Sequence, residues 1–178
     1  MSPALGPMPT DRLVRTVDEL LVQAPLAPVF GLAANVEQWP VHLSHYRYVR
    51  FLDGASDDVR IVEMSANRPF GLIDWPTWWT SRMSVVKPED SPRPSVRFTH
   101  IAGVTKGMEV EWTFEPARNG TLVRIIHVWN GPAWPLIGEM TARYLIAPVF
   151  VHGIAMRTLA GLAHVAERST TDAARDSR

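Results

Sequence analysis

One strand-length segment limits what this chain can fold into, because its two faces differ in polarity. Its apolar positions are Met108, Val110, Trp112 and Phe114, and the residues between them are Glu109, Glu111, Thr113 and Glu115. A period of two predicts a β-strand with one dry face and one wet face. Asn119-Gly120, the dipeptide that most favours a tight hairpin turn, then joins this strand to a second one over 121–130.

Other strand-like segments precede this hairpin, and most of them end in residues typical of turns. They are 12–23, 46–52, 59–66, 78–86 and 95–101. Two short helices are predicted between the first and second of these strands, at 25–34 and 35–43.

The periodicity changes after Gly131-Pro132, where apolar residues begin to recur at intervals of three and four. The stripe consists of Ile137, Met140, Tyr144, Val151, Ile154, Ala155, Thr158, Leu162 and Val165. This pattern predicts a helix of about eight turns with one apolar face, kinked at Pro148. A sheet with one dry face must be covered, and this helix is the only large element available to cover it.

The predicted fold class is therefore α+β. A curved antiparallel sheet of about seven strands wraps around a long C-terminal helix, with two short helices after strand 1. This single domain spans 12–168. The Pro-rich segment 1–11 and the small, charged tail 169–178 are predicted to be disordered.

Composition excludes several classes of function. Eighteen Lys plus Arg balance eighteen Asp plus Glu, so no net field attracts nucleic acid or an anionic membrane. No apolar run reaches the roughly 18 residues that a membrane span needs, and the first residues do not resemble a signal peptide. We expect a cytoplasmic protein without a nucleic-acid partner and without stable membrane insertion.

Cofactor chemistry also lacks support in the sequence. There are no cysteines, and the six histidines form no metal-binding motif. The nucleophile elbow of hydrolases, the phosphate loop and the dinucleotide fingerprint are all missing. We expect neither a metal nor an organic cofactor.

Aromatic and polar residues that share strand faces are the candidates for a binding pocket. Among the seven tryptophans, Trp39, Trp78 and Trp129 lie near polar groups and suit the wall of a site for a planar ligand. Strand parity places Trp78, Thr80, Arg82 and Ser84 on one face, but it does not tell which face is inside. His127 shares a face with Ile125 and Trp129, and His100 shares one with Val96 and Phe98. For each histidine the alternative is a buried core residue satisfied by one hydrogen bond.

Three stretches of the sequence share features with one known family. The first is Asn35-Val36-Glu37-Gln38-Trp39-Pro40, followed by Ser44-His45-Tyr46. The second is Trp78 to Arg82, and the third is Trp112-Thr113-Phe114 with Gly120-Thr121. They resemble the aromatic polyketide aromatase/cyclases of the polyketide cyclase/dehydrase family, in the START-like helix-grip (SRPBCC) superfamily. The second stretch resembles the strand that supplies the pocket arginine of the family, and the third resembles its last hairpin. The likeness spans most of 12–167.

The resemblance implies roles for individual residues. Arg82 takes the place of the arginine that orients a poly-β-ketone and stabilises its enolate, and Tyr46 that of a phenol that donates a proton. Trp39 and Trp78 fall on the pocket wall. The further candidates for substrate contacts are Thr80, His100, Met108, His127 and Trp129. The sequence departs from the aromatase subgroup at Pro76-Thr77-Trp78-Trp79, and it has a histidine at 127 where an amide is more common.

The implied function is that of an aromatic polyketide cyclase, which catalyses intramolecular aldol cyclisation and dehydration in an internal hydrophobic pocket. The alternative is a non-catalytic carrier that shields a lipid, quinone or polyketide from water. Either function takes a hydrophobic small molecule as its partner, and an acyl carrier protein is a candidate second partner. Both require that the guanidinium of Arg82 project into an empty apolar chamber.

Overall fold

The computed structural model of the chain describes residues 5–52, 59–70, 73–131 and 152–176. Strand β1 (Val14–Val22) is followed by helix α1 (Leu26–Ala34), a 3-10 turn (Val36–Gln38) and the short helix α2 (Trp39–His42). Six strands follow: β2 (Tyr46–Phe51), β3 (Arg60–Phe70), β4 (Ile73–Val86), β5 (Ser95–Gly103), β6 (Glu109–Ala117) and β7 (Gly120–Trp129). Helix α3 (His152–Asp176) ends the described chain.

The strands form one curved antiparallel sheet of seven strands in the order β1-β7-β6-β5-β4-β3-β2. Strands β2 to β7 follow each other as a meander, and β1 pairs with β7. The predicted α+β helix-grip architecture is confirmed, including the two short helical elements after β1. None of the described helices combines the length and the apolarity that a membrane crossing requires.

The alternation that predicted β6 gives that strand its dry face. Val110, Trp112 and Phe114 are all buried in the core. Trp112 lies opposite Val96 of β5 and Ile125 of β7, so the inner faces of three neighbouring strands meet there. Burying such side chains contributes about 1.5–3 kcal/mol each, so this face contributes several kcal/mol to the stability of the sheet.

Helix α3 covers the concave side of the sheet, as the second periodicity predicted. Its buried side chains are Ala155, Thr158, Leu159, Leu162, Ala163 and Ala166. The predicted stretch 137–151, with Pro148, lies outside the described residues. The helix runs on to Asp176, beyond the 168 expected from the apolar stripe. Within this extension the hydroxyls of Thr170 and Thr171 donate to the carbonyls of Ala166 and Glu167, which gives both hydroxyls a partner inside the helix.

The acidic face of β6 is less exposed than its alternation suggested, because a buried arginine lies against it. The side chain of Arg97 in β5 is only 2% exposed and pairs with Glu109 at 3.1 Å and with Glu111 at 3.9 Å. Its guanidinium also donates to the backbone carbonyl of Gly6, which brings the N-terminal segment onto the convex side of the sheet. Charge pairing therefore replaces hydration on this part of the outer face.

Candidate functional site

A cavity of about 70 Å³ lies between the concave face of the sheet and α3. Most of the side chains around it are apolar or aromatic, and five carry a hydroxyl or an imidazole. The lining residues are Trp39, Tyr46, Met64, Trp79, Phe98, His100, Thr105, Met108, Val110, Trp112, Ile125, His127, Ile154, Ala155 and Thr158. This space holds several water molecules, whereas pockets for larger ligands measure about 300–1,000 Å³. A large ligand therefore needs the lining side chains to move.

One wall of the cavity is a cluster of aromatic rings centred on Trp39. Its ring centroid lies 5.2 Å from that of Tyr46, 5.7 Å from that of Trp112 and 6.4 Å from that of Phe98. The indole Nε1 donates to the carbonyl of Leu32 at 3.0 Å, which fixes the orientation of the ring. Trp39 is the first residue of α2 and the buried one of its four residues, so α2 packs on the sheet through this indole.

Tyr46 brings a phenol to the same wall. It is the first residue of β2, and its backbone N–H donates to the carbonyl of Leu43 at 2.9 Å. Its ring packs against His45, whose Nε2 lies 3.1 Å from the hydroxyl of Thr158 on α3. The buried phenol therefore sits where α2, β2 and α3 meet.

His100 lies at the end of the cavity formed by β5 and the turn that follows it. Its Nδ1 is 2.6 Å from the hydroxyl of Thr105, and its ring stacks on Trp79 with centroids 6.1 Å apart and planes 19° apart. Backbone bonds from His100 to Met108 and from Gly107 to His100 hold the turn. His100 thus lines the cavity and is also a hydrogen-bonded core residue.

His127 on β7 is the second imidazole of the cavity, and it lies next to a buried carboxyl. Its Nδ1 is 3.4 Å from the hydroxyl of Thr16 and 4.0 Å from Oδ2 of Asp18, both on β1. The other oxygen of Asp18, Oδ1, pairs with Nδ1 of His152 on α3. Burial raises the pKa of Asp18, and the hydrogen bond and charge of His152 act in the opposite direction. Across the described chain, no three such side chains are arranged to hold a metal ion.

Asp18 is the part of this site that the sequence analysis missed. A signal for it exists, because the inward positions of β1 are Val14, Thr16, Asp18, Leu20 and Val22. Parity therefore places an acidic residue on the dry face of the strand. A charge at such a position requires a partner.

Five of the nine predicted site residues line the cavity, and the other four do not. Trp39, Tyr46, His100, Met108 and His127 line the cavity. Trp129 is buried beside it, where its Nε1 donates to the carbonyl of Lys106 at 2.9 Å.

Trp78, Thr80 and Arg82 share one face of β4, as parity predicted, and that face is the convex one. Trp78 and Arg82 are exposed, and Thr80 is buried. Trp79 and Met83 occupy the core instead, so the adjacent positions must point outward. Arg82 therefore does not reach the cavity, and the expectation that its guanidinium projects into the chamber is not met. Among the described residues that line it, none is an arginine or a lysine.

A seven-stranded sheet that grips a C-terminal helix around an apolar cavity defines a START-like helix-grip protein. The family model for "Polyketide cyclase / dehydrase and lipid transport" matches residues 22–145, and the chain belongs to this family.

Similar proteins have been described from several bacteria. A putative polyketide cyclase from Streptomyces halstedii is 28% identical over 112 residues, which are 62% of this chain and 96% of that protein. The crystal structure of the Zhui aromatase/cyclase from Streptomyces sp. R1128 has a TM-score of 0.70 at 17% identity, covering 88% of this chain and 95% of that one. A STAR-related lipid transfer protein from Xanthomonas axonopodis has a TM-score of 0.56 at 15% identity, covering 88% of each chain. At these identities the two structures bear on the fold alone.

Proposed function

We propose that the protein is an aromatic polyketide cyclase, which folds a poly-β-ketone in its cavity and catalyses an intramolecular aldol condensation followed by loss of water. The observation that carries this proposal is that a phenol, Tyr46, and an imidazole, His127, both line the wall of one apolar cavity. Membership of the polyketide cyclase/dehydrase family supports it. The substrate is a hydrophobic chain delivered by an acyl carrier protein.

The reaction needs proton transfers rather than a nucleophile on the protein. His127 removes a proton from a carbon between two carbonyl groups, and the enolate that forms attacks a more distant carbonyl of the same chain. Tyr46 donates a proton to the oxygen of that carbonyl, which becomes a hydroxyl. The imidazolium then protonates this hydroxyl as it leaves as water, and the Tyr46 phenolate takes up the second proton of the attacking carbon, so both side chains return to their starting states. Each such transfer by a positioned side chain contributes about 10²–10⁴-fold. Holding the reacting carbons close in a dry cavity contributes further.

The placement of Arg82 on the convex face changes the means of charge stabilisation that the sequence suggested. A developing oxyanion inside the cavity has the Tyr46 hydroxyl as a hydrogen-bond donor in place of a guanidinium. A hydrogen-bond donor in a dry site stabilises such an oxyanion by about 3 kcal/mol. The mechanism therefore rests on Tyr46 and His127 and no longer on Arg82.

The test is reconstitution with a minimal polyketide synthase and its acyl carrier protein, followed by chromatography and mass spectrometry of the products. The protein should shift the products from spontaneous mixtures to one aromatic compound. Tyr46→Phe and His127→Gln should each lower this compound at least tenfold. Tyr48→Phe is the matched control, because Tyr48 lies on the same strand beside Arg50, away from the cavity. A product mixture that is unchanged by the wild-type protein would contradict the proposal.

A carrier function remains the second candidate, and one observation favours it. The described lining of the cavity has no lysine or arginine, so a cation for an enolate is missing there. A carrier needs only the apolar walls and a few polar contacts. Under this alternative the protein copurifies with a lipid, quinone or finished polyketide, and Tyr46→Phe changes the affinity for that ligand while the products of the synthase stay the same.

A further inference from the structure

The carboxyl of Asp18 lies close to the imidazole of His127, but it takes no part in the proposed reaction. Its side chain is fully buried, on a strand whose residues 16 and 18 pair with His127 and Ile125 of β7. Oδ2 has no hydrogen-bond partner in the part of the chain that the structure describes, and it lies 4.0 Å from Nδ1 of His127. A buried carboxyl with a hydrogen-bond partner for only one of its two oxygens lowers the stability of the fold, so its presence at this position calls for a reason.

The position of the carboxyl relative to the ring suggests that reason. Thr16 and Asp18 both approach the Nδ1 side of His127, and both belong to β1. A negative charge on that side favours the tautomer with its proton on Nδ1, and this leaves Nε2 as the acceptor. The same charge stabilises the imidazolium that forms when His127 takes a proton.

We propose that Asp18 is a positioning residue that holds His127 in the tautomer whose Nε2 accepts a proton from the substrate in the cavity. This inference rests on the proposed function of His127 and adds the residue that tunes it. Asp18 does not touch the substrate, because His127 lines the cavity and Asp18 does not.

A purely structural role for Asp18 is the competing explanation, since Oδ1 pairs with His152 at the start of α3. Among the described residues, the titratable groups within 4.0 Å of the carboxyl are His127 from β7 and His152 from α3. The neighbouring Glu19 lies on the other face of β1 and pairs with Arg124. Variants of His127 and Glu19 therefore separate the two explanations.

The first experiment needs no substrate. Long-range proton–nitrogen NMR spectra of the wild-type protein should show His127 with its proton on Nδ1. Asp18→Asn should lower the fraction of neutral His127 that carries its proton on Nδ1, whereas Glu19→Gln should leave this fraction unchanged. A wild-type His127 that carries its proton on Nε2, or a tautomer ratio that Asp18→Asn does not change, overturns the proposal even if the protein is a cyclase.

The second experiment measures cyclase kinetics in a double-mutant cycle. Asp18→Asn should lower kcat at least about tenfold with less than a threefold change in KM. In the His127→Gln background the same substitution should have little further effect, because the two residues act as one unit. Glu19→Gln, on the other face of the same strand, should leave kcat unchanged. Equal losses from Asp18→Asn in both backgrounds overturn the proposal in favour of a structural role. If the wild-type protein has no cyclase activity, the proposed function is wrong. The NMR experiment then decides by itself whether Asp18 sets the tautomer of His127.

Discussion

The indole of Trp39 meets the phenol ring of Tyr46 edge to face, with centroids 5.2 Å apart and planes at 71°. Trp39 belongs to a helix of only four residues, and Tyr46 begins the adjacent edge strand. Four residues cannot form a stable helix alone. The contact therefore joins the small helices to the sheet and places the proposed proton donor at the same time.

Replacing Trp39 should cost stability in proportion to what is removed. Trp39→Ala should lower the free energy of unfolding by about 3–5 kcal/mol, because it leaves a cavity among Tyr46, Phe98 and Trp112. Trp39→Phe should cost about 1–3 kcal/mol, since it leaves the carbonyl of Leu32 without its donor. Urea unfolding measures both, and Val41→Ala is the control because Val41 is 75% exposed. Equal costs for Trp39→Ala and Val41→Ala would contradict this account.

Arg82→Ala should change neither stability nor product profile. The side chain is exposed on the convex face of β4, where substitutions usually shift the free energy of unfolding by less than about 0.5 kcal/mol. The reconstituted synthase assay gives the product profile, with His127→Gln as the variant that should lose activity. Loss of cyclised product from Arg82→Ala with an intact fold would mean that the guanidinium reaches the substrate by a conformational change.

The sequence predicted the architecture because the fold follows from two periodicities. A period of two over 108–115 and a period near 3.6 through 154–165 were enough to define a sheet with one dry face and the helix that covers it. Of the five predicted site residues that line the cavity, Met108 belongs to the segment with the period of two, and His100 and His127 were selected from the faces of neighbouring strands. Tyr46 was selected from the family resemblance, and Trp39 from the resemblance and its nearby polar groups.

The face of β4 could not be predicted from the sequence. Trp78 and Trp79 are adjacent aromatic residues, so either one suits the core, and local pattern does not choose between them. The choice depends on neighbours across the sheet: Trp79 stacks on His100, and Met83 lies opposite Phe98 of β5. The pairing of Asp18 with His152 could not be predicted from the sequence either, because the two residues are 134 positions apart in the chain.

Gly103 should tolerate no side chain, because its backbone has a φ of +87° and a β-carbon there would overlap the carbonyl of Trp78. Gly103→Ala should lower the free energy of unfolding by at least about 1–3 kcal/mol. It should also loosen the turn that holds His100 against Thr105. Gly31→Ala is the matched control, since no atom lies within 4 Å of its β-carbon in α1, and it should stabilise the protein by about 0.5–1 kcal/mol. Thermal unfolding compares the two, and similar shifts in Tm would contradict the prediction.

The buried carboxyl of Asp18 should make stability depend on pH in a direction that can be worked out. Burial raises the pKa of Asp18 above its ordinary value of 3.8, so the folded chain keeps this proton to a higher pH than the unfolded chain does. The stability that this proton contributes is complete below pH 3.8 and is lost as the pH rises through the folded-state pKa. The loss is at most about 1.4 kcal/mol per pH unit.

Asp18→Asn cannot ionise, so it should lack this loss. The free energy of unfolding of the variant, measured relative to the wild type by urea titration between about pH 4 and 7, should rise with pH and then level off. Glu19→Gln should show no such trend, because Glu19 is on the exposed face of the same strand. A wild type that gains stability over Asp18→Asn as the pH rises would mean that pairing with His127 and His152 outweighs the cost of burial. In that case the folded-state pKa of Asp18 would lie below its ordinary value, so the carboxylate would stay charged to a lower pH. Its electrostatic attraction to His127 would then extend over a wider pH range.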